Sequence, residues 1–483
     1  MRLWPFRNKA PARSAQELEA LLVGAMHDHQ AGRWQEAEHA YRQVLARAPE
    51  HADALHFLGV LQLQRGRHAE AELLISRALR VQAANPPAHH NLGLALLAQG
   101  RTDLAAGCFR KALELAPDHQ GALVDLGNAL TALGAHREAA ALYRRALSAA
   151  PGDPDLHFSL GNAFHAAGDR QAAVGSYREA IRLRPAFPEA HTNLGSVLRE
   201  GGQLQHAVAS YRDALAHKPE YIEALYNLGI ALRELGRCDD AATALRQAIA
   251  LRPDFAPPHY GLGHVLCEDD RHAQALESFR RAMALDPGFV EARWSHAMTQ
   301  VPAVQDAAGG THSFRSAFDA ELRSLDSWFE PSRVMLGERA VGAAQPFRLA
   351  YQDADNRELL ARYGGLCARL MGDWQRQQGL APRAPRAPGP VRVGVVSQFF
   401  RDHSVWNAIV KGWFQQLDRE RFALHVFCLG AAEDDETGYA RSRAVSFVQG
   451  AGGLRQWADA ILAAQPDVLI YPEIGMDPMS LKL

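Results

Sequence analysis

The sequence predicts an α-solenoid of about eight helix hairpins, then a helical connector, then a partial α/β lobe of Rossmann-like pattern. Three observations predict it. The dipeptide Leu-Gly returns every 34 residues, glycine and proline punctuate each period at fixed offsets, and after residue 390 the apolar pattern changes from a helical period to β-branched runs separated by helices. The expected division is a tail over 1–17, repeats with a capping helix over 18–300, a connector and Pro-rich linker over 301–390, and the partial lobe over 391–483.

In the repeats, Leu-Gly ends at Gly59, Gly93, Gly127, Gly161, Gly195, Gly229 and Gly263. An alanine keeps the same register at Ala37, Ala71, Ala105, Ala139, Ala173, Ala207, Ala241 and Ala275, which makes eight units. A large residue follows each alanine by four positions, among them Tyr143, Tyr177 and Tyr211. Small residues let two antiparallel helices approach, and the large one fills the gap beyond them. Gly66, Gly100, Gly134, Gly168, Gly202 and Gly236 mark the turn between the helices, and Pro117, Pro151, Pro185, Pro219, Pro253 and Pro287 close the units. The pattern resembles the tetratricopeptide repeat over roughly Leu18 to Phe289, with Ala25 and Val44 as departures in the first unit.

Stacked hairpins of this kind form a superhelix whose inner wall comes from the first helix of each unit, a wall suited to extended peptide. Two residues before each glycine stand Phe57, Asn91, Asp125, Ser159, Asn193, Asn227 and Gly261. Asn91, Asn193 and Asn227 can each offer a peptide backbone a donor and an acceptor. The other reading is that they are ordinary polar positions of an amphipathic helix. Protein or peptide partners are therefore expected, with self-association through the repeats as a further use of the array.

Composition narrows the remaining classes. A formal net charge of −2 supplies no long-range field for nucleic acid or an anionic membrane, and neither partner is expected. The five cysteines are widely spaced without a C-x-x-C pair, which argues against a disulfide framework and a structural zinc site. The histidines do not suggest a metal site: His27 and His29 point to different helix faces, and one i,i+4 pair, His264 with Glu268, is expected by chance. The basic N-terminus lacks an apolar stretch behind it, and no run approaches the ~18 apolar residues of a membrane span. A cytoplasmic protein is expected.

EARWSHAMTQ (291–300) reads as a capping helix, Phe314 to Trp328 and Asp355 to Trp374 as connector helices, and Ala381 to Pro390 as a stiff linker. Val391 to Val396 then reads as a strand. A loop over Ser397 to Ser404 follows, then a helix with Trp406, Ile409, Val410, Trp413 and Leu417 on its apolar side. FALHVFCLG and DVLIYP are the second and third strands, with a helix around Trp457 to Ala464 between them. Strands alternating with helices imply a parallel sheet, with ligands at the C-terminal strand ends.

RVGVVSQFFRDHS, FALHVFCLG leading to EDDET, PDVLIYPEIGMD and the connector stretch PFRLAYQDADNRELL together resemble the SPINDLY and O-linked N-acetylglucosamine transferase group of glycosyltransferases. The resemblance implies the first lobe of a two-lobed GT-B region and inverting transfer of N-acetylglucosamine from UDP-N-acetylglucosamine to protein Ser/Thr, without a metal or other cofactor. In that family the histidine at His403 lines the active site; a second family histidine is here Asn407. The resemblance thus makes His403 the candidate base or acceptor-positioning group, with Asp402 and Glu473 beside it in the loop layer. Asp434 and Asp435 fit a metal-binding pair, but adjacent aspartates suit a helix N-cap better. The donor diphosphate is held mainly by the family's second lobe, so this 483-residue chain is expected not to transfer sugar by itself and to leave apolar surface exposed at Val468 to Tyr471. The alternative is a non-catalytic repeat scaffold for protein interaction.

Overall fold

A computed structural model describes residues 10–302, 311–346, 348–349, 355–380, 389–450, 452–472, 479 and 482–483. It divides into two compact units, residues 1–231 and 232–483.

The first unit is built of helix pairs: α1 (Ala10–Gln30) with α2 (Trp34–Arg47), α3 (Ala52–Gln64) with α4 (His68–Val81), and α5 (Pro86–Leu97) with α6 (Thr102–Leu115). The series continues with α7 (Gln120–Ala132) and α8 (His136–Ala149), α9 (Pro154–Ala166) and α10 (Arg170–Leu183), α11 (Pro188–Glu200) and α12 (Leu204–His217), and reaches into α13 (Ile222–Glu234). Each pair closes where the periodic alanine and glycine meet the large residue. Tyr41, Phe109, Tyr177 and Tyr211 are fully buried, and a Cβ on Gly161 would stand 2.6 Å from the Tyr177 ring. The turn glycines are needed for their backbone: φ is +74° at Gly66 and +82° at Gly168, a region that L side chains rarely adopt. The unit-closing prolines fall just beyond the second helices; Pro117, for example, follows the C-cap Ala116.

The second unit continues with α14 (Cys238–Leu251), the pair α15 (Ala256–Glu268) and α16 (His272–Leu285), and the expected capping helix α17 (Val290–Met298). Here Asp270 holds the left-handed turn position at φ +53° where earlier units have glycine. The connector helices are α18 (Thr311–Trp328), a short α19 (Gly337–Ala340) and α20 (Arg357–Gln377). They share a core with α17 in which Trp294, Phe318, Leu322 and Leu370 are all 0% exposed. Most of the linker 381–390 lies outside the described residues.

The C-terminal part is a parallel four-stranded sheet in the order β3-β2-β1-β4: β1 (Val391–Ser397), β2 (Phe422–Cys428), β3 (Ser446–Gln449) and β4 (Val468–Ile470). Its helices are α21 (Lys411–Gln416), α22 (Asp435–Arg443) and α23 (Leu454–Ala464). Alternate residues of β1 face opposite layers. Val393 and Val395 pack with Trp406, Phe414 and Ala440. Val396 packs with Phe427, Trp457 and Ile461. Among the described residues there are four strands rather than the expected three, because SFVQ, short and half polar, carries little strand signal in the sequence. Trp413 is also corrected. A π-turn over Trp406–Val410 precedes α21, and its extra residue per turn advances the buried stripe by one position. Phe414 is therefore buried and Trp413 is 37% exposed. Val468 and Leu469 on the edge strand β4 are exposed as expected.

Candidate functional site

Strands β1 to β3 step outward from the centre of the sheet, and the chain then crosses back to place β4 on the other side of β1. The C-terminal ends of β1 and β4 therefore flank the switch point where ligands gather in open parallel sheets. The loop after β1 carries Asp402 and His403. Glu473 follows β4 in sequence and lies outside the described residues.

His403 is held on two sides. Its ring stacks on Phe399 at a centroid separation of 3.9 Å and an interplanar angle of 11°. Its Nδ1 accepts the backbone N–H of Val405 at 3.2 Å. In a neutral imidazole so engaged, the proton sits on Nε2, which is then a donor. In that tautomer Nε2–H can give a hydrogen bond but cannot take up a proton.

Asp402 is part of a seam between the β1 and β2 loops. Its N–H donates to Asp434 Oδ2 at 2.7 Å, and its Oδ1 accepts from Asn407 Nδ2 at 2.8 Å. Asp434 is the N-cap of α22, in a capping box with Thr437, as the adjacent aspartates suggest. These donors, the Asp402 N–H first among them, hold the Asp434 carboxyl below the usual carboxylate range. Thr437 Oγ1 donates onward to Phe400 O at 2.6 Å. In the first turn of α22, Glu436 accepts from Lys411 at 2.6 Å and from the Trp406 indole N–H at 2.7 Å. Asp434, Glu436, Thr437 and Lys411 thus set the loop's shape, a role that their separate places in the sequence do not signal. Among the described residues no group of three or more His, Cys, Asp and Glu side chains could hold a metal ion.

The wall of first helices in the first unit is the other candidate surface. Asn91, Asn193 and Asn227 are all half-buried there. Asn91 Nδ2 lies 3.0 Å from His56 Nε2, and Asn193 Nδ2 donates to Asn162 Oδ1 at 2.8 Å. Each of these two gives an amide N–H to a side chain of a neighbouring unit. Asn162, missed in the sequence, also accepts the Tyr177 hydroxyl at 2.7 Å, and Asn128 repeats this with Tyr143 at 2.7 Å. Their signal was present: an asparagine just after the periodic glycine, fifteen residues before a tyrosine. Asp125, in the register of the asparagines, is paired with His90 Nε2 at 2.8 Å.

The family model for the tetratricopeptide repeat matches residues 22–89, 90–154 and 226–288. A second model, described as TPR repeat, matches residues 161–198 and 195–236. The helix pairs are therefore tetratricopeptide repeats. Comparison with curated proteins gave no match. Among solved structures, the chain is similar to YrrB, a TPR protein with an unusual peptide-binding site, at 23% identity over 38% of this chain and 95% of that one, with a TM-score of 0.34. It is similar to MamA at 23% identity over 34% of this chain and 95% of that one, with a TM-score of 0.33. A mutant O-GlcNAc transferase of Thermobaculum terrenum aligns at 21% identity over 58% of this chain and 45% of that one, with a TM-score of 0.39. No described helix is long and apolar enough to cross a membrane.

Proposed function

We propose that this chain serves protein glycosylation of the O-linked N-acetylglucosamine type. Its repeats hold extended Ser/Thr-rich segments, and its α/β part presents the acceptor hydroxyl to a UDP-sugar. The observation that carries the reading is the His403 loop at the switch point of a parallel sheet, stitched to the β2 loop through Asp402 and Asp434. Inverting transfer forms a bond from the acceptor oxygen to the sugar's anomeric carbon while the bond to the diphosphate breaks, and the acceptor's proton passes to an oxygen of the departing diphosphate. A preorganised donor such as His403 Nε2–H orients one of the oxygens involved and lowers the barrier through charge that is already in place. Asp402 and Asn407 keep that loop in register, and Glu473 is proposed to complete the layer from the β4 side.

A non-catalytic scaffold is the second reading. What favours it is that Asp402, Asp434, Glu436 and Lys411 are each already tied to a neighbour. The two separate in one titration. With histidines carrying a 13C label, a Ser/Thr-rich peptide is expected to shift the His403 ring signal, and the same peptide with every Ser and Thr replaced by Ala is expected not to. Peptide binding that leaves the His403 signal untouched contradicts the acceptor-site reading and supports the scaffold.

A further inference from the structure

We propose that residues 341–346, with Arg348 and Leu349, are a built-in ligand of the repeat array, lying over α17 where a bound peptide would lie along the other first helices. The idea rests on the peptide-binding reading above, although its test does not. Trp294, Ser295 and Met298 of α17 stand 34 residues after Tyr260, Gly261 and His264 of α15, in the register that faces the wall. Tyr260 and His264 are half-buried, whereas Trp294 and Ser295 are 0% and Met298 3% exposed.

The connector supplies the cover. The Trp294 indole N–H donates to the Ala344 carbonyl at 2.8 Å, the kind of bond a wall side chain gives to a ligand's backbone. Arg348 donates to the Cys267 carbonyl at 2.8 Å, at the last turn of α15 where the helix dipole favours a cation. It also lies 3.7 Å from Asp270. Val341 and Leu349 are sunk into the connector core at 0% and 1% exposure. An external peptide on the second unit then runs no further than Tyr260 and His264, because the next place is filled from within the chain.

The test uses the full chain with a cysteine probe and mass-spectrometric location of the label. Maleimide is expected to label a Met298→Cys variant at least tenfold more slowly than Asn227→Cys; equal rates overturn the proposal. Adding Arg348→Ala and Leu349→Ala, both within the segment so that Trp294 keeps its indole N–H, is expected to raise the Met298→Cys rate at least tenfold. The loosened chain should also bind a fluorescent peptide of the sequence of residues 341–349, which the parent chain does not bind. Failure of the loosened chain to take that peptide reduces the segment to ordinary core packing and overturns the idea. Arg348→Ala alone, which leaves Leu349 in the connector core, carries the same readouts if the double change costs helical signal. Loss of Ser/Thr-peptide binding with these outcomes intact would count against the peptide-binding reading and not against this one.

Discussion

Substituting alanine for Gly161 and for Gly175 should move stability in opposite directions, although both glycines sit in the helices of one repeat. At Gly161 a Cβ would meet Tyr177 ring atoms at 2.6, 2.7 and 3.1 Å. Tyr177 is 0% exposed, so the ring has nowhere to retreat. Overpacking of this kind costs about 1–3 kcal/mol. Displacing the ring also endangers the bond from its hydroxyl to Asn162, worth about 1 kcal/mol. The better helix propensity of alanine returns ~1 kcal/mol, leaving a net loss of about 1–3 kcal/mol. Gly175 has nothing within 4 Å of a Cβ, so Gly175→Ala keeps only the gain of roughly 0.5–1 kcal/mol. Thermal melts followed by circular dichroism should show the midpoint rising by about 1–4 °C for Gly175→Ala and falling by a similar amount or more for Gly161→Ala. A neutral or stabilising Gly161→Ala would refute the packing argument for the periodic glycines.

Two further predictions concern titration and the α/β loops. Burial depresses the pKa of His264 to about 3 from an unfolded value near 6.5, so below pH 6.5 the unfolded chain binds the extra proton. His264 alone should take up to about 1.4 kcal/mol of stability per pH unit as the pH falls from 6 to 4; His264→Gln should make the slope shallower, and an unchanged slope in that variant contradicts the assignment. Where N-acetylglucosamine transfer is measured, His403→Ala should lower the rate about a hundredfold, and His403→Gln, which keeps a donor, should recover part of it. No recovery in His403→Gln would point to a base instead.

The repeats were legible because one local pattern is written eight times, so that Val44 or Asp270 cannot hide it. The α/β part offers each signal once. SFVQ is too short to declare a strand, and the π-turn at Trp406–Val410 leaves no mark in composition while changing which of Trp413 and Phe414 is buried. The seam from Asp402 to Asp434 joins residues 32 apart in sequence, and only the sheet brings them together. His403 could be singled out by the motif around it, but the role of its Nδ1 depends on the backbone turn at Val405.

The central claim, that the first-helix wall recruits extended Ser/Thr-rich segments, is tested most directly by fluorescence anisotropy of a labelled, unstructured Ser/Thr-rich peptide. Titrations would compare the parent chain with one in which Asn91, Asn193 and Asn227 are all alanine, with melts run in parallel because Asn91 and Asn193 also bond to neighbouring units. Each asparagine that gives a ligand backbone a net hydrogen bond contributes about 0.5–1.5 kcal/mol, so the triple change should weaken binding by at least tenfold while the chain remains folded. Unchanged affinity in a folded triple variant would contradict the claim.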